Sequence, residues 1–379
     1  MGRFAPTISA PLGLTRSFRS NFPLPLLQSF PNARLYSQTQ SDQVAATRST
    51  IAQLLRQIDS KHTAQQYLSY FSTPTFSARP FAVIKVGGAI LTDHLPSLAS
   101  AIAFLSHIGL YPILVHGAGP QLNTSLSAAG VKPEFHEGIR VTDGRTLALA
   151  RTALLEENFK LAQELESIGV STRPLTSGVF QAEYLDASKY GHVGRIVQIE
   201  DSSIQAALRA SCVPVVTCMA ETSDGQVLNV HADLAASALA RALRPEKVVY
   251  LSETGGLVNG RTGRKMDVIS LEWLREQEWT RLGMRWRVRM RAVREMLEGE
   301  DGEEARVSIV HPRGLLKEVF AGEGQGEGTV IRRARNTRRI APDGVTMVGQ
   351  VMILLVVTLV VMLILDLGKL KSGSTSGQP

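Results

Sequence analysis

Between residues 81 and 333, short runs rich in Val, Ile and Leu alternate with longer stretches whose apolar residues recur every three or four positions. The runs predict strands over 81–86, 112–115, 213–218, 248–251 and 307–310. The longer stretches predict helices over 97–107, 120–129, 145–168, 232–243 and 287–298. Strands joined through helices lie parallel, because a parallel return needs a crossover of a dozen or more residues. Parallel strands are covered on both faces, which is why they read as unbroken apolar runs. The expected fold is therefore α/β, a three-layer α/β/α sandwich on a mainly parallel open sheet. A chain of 379 residues, 44% of them hydrophobic, has the apolar content for such a core.

The flanks differ in composition. Residues 1–40 carry Arg3, Arg16, Arg19 and Arg34, no acid, and many Ser, Pro and Leu, as a mitochondrial transit peptide does. The run Arg34-Leu35-Tyr36-Ser37 resembles a matrix-protease cleavage site, cut after Tyr36. Residues 41–79 read as a helical arm and linker, with Val44, Ile51, Leu54, Leu55 and Ile58, then Tyr67, Leu68 and Phe71, at helical spacing. The core domain is expected over 80–333. A basic linker (334–346) then leads to an uncharged apolar run at 347–365, near the roughly 20 residues a bilayer-spanning helix needs. A disordered tail, 366–379, follows. That run reads either as an anchor to the inner mitochondrial membrane or as non-coding sequence carried into the reading frame; the domain itself is expected in the matrix.

The net charge of +7 gathers at the N-terminus, at 281–294 and at 332–339. No nucleic-acid-binding motif accompanies it, so no nucleic-acid partner is expected. Cys212 and Cys218 flank one apolar run and have neither the number nor the spacing for a disulfide framework or a zinc site; no metal bound by the protein is expected.

Four motifs carry chemistry. Lys85-Val86-Gly87-Gly88 ends a strand, opens a loop and places a cation where ligands sit in open α/β sheets. His116-Gly117-Ala118-Gly119-Pro120-Gln121-Leu122-Asn123 repeats that plan on the next strand, so two nests of backbone N–H groups face one anion. Neither is a Walker loop or a dinucleotide fingerprint. Glu137-Gly138-Ile139-Arg140-Val141-Thr142-Asp143 offers an arginine suited to a carboxylate. Asn229-Val230-His231-Ala232-Asp233 opens an Ala-rich helix with an acid in its first turn.

In this order the motifs resemble those of the acetylglutamate kinases of the amino-acid kinase superfamily, closest to the fungal mitochondrial, arginine-sensitive form, over about residues 44 to 333. The resemblance implies phosphorylation of the γ-carboxylate of N-acetyl-L-glutamate by ATP, with Mg²⁺ carried on the nucleotide, in arginine synthesis. It implies that Lys85 bridges the ATP phosphates, and that Gly87, Gly88, Gly117, Ala118 and Gly119 offer N–H groups to the transferring phosphoryl and the attacking carboxylate. Arg140 would hold the substrate's α-carboxylate, Asn229 its amino-acid end, and Asp233 would orient two catalytic cations. Glu253, Gly255 and Gly256, in the loop after the 248–251 strand, would lie near the adenine. The arm, with the segment from His311 to Ile331, would build an arginine site and a homo-oligomer.

Two positions depart from the family pattern. The second catalytic lysine is missing from the helix near 285–298, and the alignment sets Arg291 there, with Arg289 the alternative. His231 stands where Asn is expected. The competing reading is a non-catalytic, arginine-sensing subunit or a membrane scaffold that contacts other enzymes of the pathway.

Overall fold

The computed structural model describes residues 80–259, 262–276, 283–299, 306–320 and 326–333. The expected leader, arm, basic linker, membrane span and tail lie outside the described residues. Among the described residues no helix is long and apolar enough to cross a membrane.

The strands in chain order are β1 Ala82–Val86, β2 Ile113–His116, β3 Phe135–His136, β4 Ile139–Arg140, β5 Thr172–Leu175, β6 Phe180–Tyr184, β7 Gly194–Ile199, β8 Val213–Thr217, β9 Met219–Glu221, β10 Val227–Asn229, β11 Lys247–Leu251, β12 Val268–Ser270, β13 Val307–Val310 and β14 Thr329–Arg332. The helices are α1 Gly88–Asp93, α2 Leu95–His107, α3 Gly119–Ala128, α4 Gly144–Ser167, α5 Ala187–Tyr190, α6 Ser202–Arg209, α7 Ala232–Leu243, α8 Leu271–Glu276, α9 Met284–Glu298 and α10 Leu315–Phe320.

Eight strands form one sheet in the order β12-β14-β13-β11-β1-β2-β8-β5. Every neighbouring pair is parallel except β13 with β14. Strands β1, β2, β8, β11 and β13 are buried at every residue, as their unbroken apolar runs require. Successive residues of β1 feed two cores. Val83 points to one face, against Leu122 and Leu126 of α3, Leu239 of α7 and Val293 of α9. Ala82, Ile84 and Val86 point to the other, against Leu98, Ile102 and Leu105 of α2 and Leu161 and Leu165 of α4. Each fully buried Leu or Ile contributes roughly 1.5–3 kcal/mol, so these two faces fix the three layers.

A second sheet, β10-β9-β6-β7, is mixed, with β6/β7 and β9/β10 antiparallel. The sequence reading lacked it because its strands are short or carry exposed polar residues, as Phe180-Gln181-Ala182-Glu183-Tyr184 does. It matters here because β10 ends at Asn229, directly before the turn into α7.

The 24-residue α4 starts on Asp143, whose carboxylate accepts from Thr146 N at 2.7 Å. Its midpoint is pinned to the sheet by buried Asn158, whose Nδ2 donates to the Val215 carbonyl and to His116 Nε2, both at 2.9 Å. Replacing Asn158 by Leu leaves both acceptors buried and without this donor. The expected loss is about 1–3 kcal/mol of unfolding free energy. It should appear as a lower urea midpoint at an unchanged denaturant slope.

Candidate active site

The loops after β1 and β2 meet at the C-terminal edge of the sheet, where the twist of an open α/β sheet leaves a crevice. Each turns at once into a helix, α1 from Gly88 and α3 from Gly119, whose first N–H groups lack intrahelical partners. The loops touch. A Cβ at Gly88 would come within 2.4 Å of Gln121 Oε1, 2.8 Å of Pro120 Cδ and 3.0 Å of Gly119 N, so only glycine lets them close. Gln121 bridges them, its Nε2 donating to the Gly88 carbonyl at 2.9 Å and to Glu157 Oε2 at 3.1 Å. The cleft they border holds about 620 Å³, and is lined by both loops, Lys85, Arg140, Asn229, Asp233, Trp286 and Arg289.

At the cleft's base lies one carboxylate between two cations. Asp233 sits in the first turn of α7 and is buried. Its Oδ1 is 2.8 Å from Lys85 Nζ on β1, and its Oδ2 is 3.3 Å from Arg289 Nε on α9. Burial alone would raise the Asp233 carboxyl, but the Arg289 guanidinium and the Lys85 ammonium overcome it and hold the carboxyl well below the usual range. Burial lowers the Lys85 ammonium; Asp233 counters this and Arg289 adds to it. The triad is tied to the scaffold at three points. Tyr250 on β11 donates its hydroxyl to the Asp233 carbonyl at 3.2 Å. Ser237 on α7 donates to the Ala292 carbonyl of α9 at 2.9 Å. His231 caps α7, its Nδ1 accepting from Asp233 N at 3.2 Å.

That bond fixes the His231 tautomer with its proton on Nε2. Burial brings the imidazole down to about 4, so it is neutral at pH 7. Histidine here does what asparagine does at a helix N-cap, offering an acceptor to a first-turn N–H. Cys218, on the same wall, has its thiol pushed up to about 12 by burial and stays protonated.

On another wall Arg140 donates from Nη2 to Asn123 Oδ1 at 2.5 Å, and its guanidinium carbon lies 4.6 Å from the centroid of the Phe135 ring. Asn229 donates from Nδ2 to Thr142 Oγ1 at 3.2 Å. Both line the cleft.

Lys85, Gly87, Gly88, Gly117, Ala118, Gly119, Arg140, Asn229, Asp233 and Glu253 thus border one space. Three expectations need correction. Arg291 is not at the triad: its Nε lies 3.9 Å from Glu295 on the exposed side of α9, and Arg289 takes its place. The helical period could have found this, since Arg289 shares a stripe with buried Ala292, Val293 and Met296 while Arg291 runs with Arg294, Glu295 and Glu298. Gly117 borders the cleft, but its N–H donates to the Val86 carbonyl at 3.1 Å and so ties the two loops together. Gly255 and Gly256 do not line the cleft. Gly255 serves a turn at φ +67°, and Gly256 packs so that a Cβ would fall 2.6 Å from Thr329 Oγ1. Trp286, on the cleft wall, was missed altogether.

Residues 80–307 match the amino acid kinase family. The chain is 48% identical over 290 residues to protein arg11, mitochondrial, of Schizosaccharomyces pombe, and 49% identical over 291 residues to protein arg-6, mitochondrial, of Neurospora crassa. Each alignment covers 76% of this chain but 32% of the fungal relative, so the chain spans about a third of their length. It is 41% identical over 278 residues to the acetylglutamate kinase of Xanthomonas campestris, covering 72% of this chain and 63% of that protein. Among solved structures, N-acetylglutamate synthase from Neisseria gonorrhoeae, complexed with coenzyme A and N-acetyl-glutamate, matches with a TM-score of 0.60 at 25% identity, over 71% of this chain and 63% of that one. Giardia carbamate kinase shares the fold, with a TM-score of 0.51 at 16% identity over 68% of this chain and 100% of that one.

Buried His116 and half-buried His231 give the fold a pH signature. His116, at the end of β2, is brought by burial to about 4, as His231 is. The unfolded chain binds protons at these sites first as pH falls, so their stabilisation is full above about 6.5 and is lost as pH drops toward 4. The expected slope approaches about 1.4 kcal/mol per pH unit for each histidine within that window. Urea unfolding across that range should show it, and His231→Asn, which keeps the cap, should make the slope shallower.

Proposed function

The chain belongs to the amino acid kinase family, and on that premise we propose that it transfers the γ-phosphoryl group of ATP to the γ-carboxylate of N-acetyl-L-glutamate, a step of arginine synthesis in the mitochondrion. The observation that carries this reading is the triad of Lys85, Asp233 and Arg289 at the base of a cleft bordered by two glycine loops. One carboxylate against two cations leaves the base of the cleft positive, and helix starts add N–H groups beside it. That is an acceptor for polyphosphate. The named fungal and bacterial relatives supply the substrate and the compartment.

In this reading Lys85 and Arg289 draw charge from the phosphoryl group as it passes between oxygens, and Asp233 sets their spacing. Gly87, Gly88, Ala118 and Gly119 surround the group in flight. Arg140 and Asn229 hold the amino-acid end, and Glu253 borders the nucleotide. Both Asp233 oxygens already face cations, so Mg²⁺ comes with the nucleotide. The attacking carboxylate is ionised at neutral pH, and phosphoryl transfer then rests on placement and charge stabilisation. Inhibition by arginine, a homo-oligomer and matrix location complete the proposal.

The test incubates the full chain with ATP, Mg²⁺, N-acetyl-L-glutamate and hydroxylamine, and follows the hydroxamate of the acyl phosphate. The expected result is product that falls when arginine is added. A folded protein that binds ATP and yields none would overturn the kinase reading and leave the arginine-sensing subunit. Arg289→Ala should lower kcat by about 10²–10³, the usual cost of losing one donor to a developing charge. Arg291→Ala should stay within about twofold, because an exposed i,i+4 pair holds little energy.

A further inference from the structure

The triad has a problem that its own carboxylate does not solve. Two cations share one acid in a largely buried site, and each repels the other; Arg289 is among the groups that lower the Lys85 ammonium. A second carboxylate would quiet the repulsion, but it would also cancel the charge that a polyphosphate needs. The site instead surrounds Arg289 with aromatic rings. The guanidinium carbon lies 5.0 Å from the centroid of Trp286 and 5.8 Å from that of Tyr250. Ring faces carry negative quadrupole density, so they attract a cation without neutralising it.

The arrangement is suited to arginine. Trp286 and Arg289 are three apart on α9, so their side chains lie on one face of the helix. Trp286 also lines the cleft, whereas Tyr250 is fully buried beneath it. A guanidinium is flat and fairly weakly hydrated, and it stacks on an indole; a compact ammonium gains less from a flat wall. The contact with Asp233 uses Nε, and the terminal nitrogens carry four further N–H groups for an anion. Rotation about the side chain's last bonds would swing those groups off target, and a ring on one side with a carboxylate at Nε opposes it.

We propose that Trp286 is a positioning residue, the wall that holds Arg289 flat and aimed at the phosphates, and that this wall lets an arginine serve as the second cation. The inference rests on the reading of the cleft as a nucleotide-phosphate site. Trp286 touches the guanidinium and acts through it.

The test is a double-mutant cycle on the full chain with Trp286→Leu and Arg289→Met, read in Mg-ATP affinity by equilibrium dialysis and in kcat by hydroxamate formation. Trp286→Leu should weaken ATP binding about five- to thirtyfold, the span of a desolvated cation–π contact, and lower kcat at least as much. KM for N-acetyl-L-glutamate should move less than about twofold, since Arg140 and Asn229 are untouched. Trp286→Phe, which keeps a flat ring, should recover most of both and guards against a leucine variant that fails to fold. With Arg289 already Met, adding Trp286→Leu should change nothing further, because the coupling is between those two side chains. Additive losses, or a Trp286→Phe variant as impaired as Trp286→Leu, would overturn the inference. A wild-type chain that binds ATP but forms no hydroxamate would remove the kinase reading alone, and the affinity cycle would still decide the role of Trp286. A wild-type chain that does not bind Mg-ATP would overturn both.

Discussion

One buried carboxylate shared by two cations is the constraint around which the described domain is arranged. Asp233, Lys85 and Arg289 come from α7, β1 and α9, three elements far apart in sequence. Removing three charges from water is costly, and their attraction offsets the cost only when geometry is tight and nearby polar groups are satisfied. The surroundings meet that demand through Tyr250 on the Asp233 carbonyl, His231 on its N–H, and the Ser237 bond from α7 to α9. Residual positive charge remains in a largely buried place. Such a site is poorly satisfied alone and better satisfied with an anion, so stability is given up locally for binding.

The sheet order places that charge where a ligand can reach it. β1 lies between β11 and β2, so the loops leaving β1 and β2 are neighbours, and Tyr250 of β11 sits beside Lys85 in register. Parallel strands leave at the same edge, which is why Lys85 and both glycine loops converge without any long excursion. The spacing between the loops is set by close contact. The Gly88–Gln121 approach, the Gly117 to Val86 bond and the Gln121 to Glu157 bond join α1, α3 and α4 into one unit. A change at any of these would be felt as a shift between two anion-facing helix starts, even though none need touch a substrate.

Much of this was legible in the sequence, for definable reasons. Strands buried on both faces announce themselves as apolar runs, so β1, β2, β8, β11 and β13 were expected within a residue or so of where they lie. Helices α2, α3, α4, α7 and α9 were expected from their apolar period. The mixed sheet and the short β12 and β14 were not, because polar or exposed residues interrupt or bound their runs and leave no continuous apolar stretch to read. The glycine loops, Lys85, Arg140 and Asp233 were legible because close backbone approach and fixed charge need particular residue types. Arg289 was harder. Arginines stand at 285, 287, 289 and 291, and motif order cannot tell which one turns inward. Only the rotation of α9, set by Val288, Ala292 and Val293 against the core, selects it. Trp286 left no signal of its own, since its value depends on what stands three residues later.

The chemistry of the site is narrowed further by its buried titratable groups. Burial brings the His116 and His231 imidazoles down to about 4 and the Cys218 thiol up to about 12, and it raises the Tyr250 phenol. Each is therefore neutral at pH 7. His231 has its Nδ1 occupied by the helix cap, and Tyr250 has its proton committed to the Asp233 carbonyl. Asp233 is a poor base, because the two cations hold its carboxyl ionised far below neutrality. At the base of the cleft, then, no described group is poised to accept a proton, while two are poised to attract negative charge. Reactions that begin by deprotonating an alcohol or an amine would find no partner among them. A nucleophile that arrives ionised needs none. An acid side chain attacking a phosphoryl group asks the protein only to hold two anions together and to share the charge between them. The Lys85–Asp233–Arg289 arrangement, beside its two glycine loops, fits that demand in the reaction we propose.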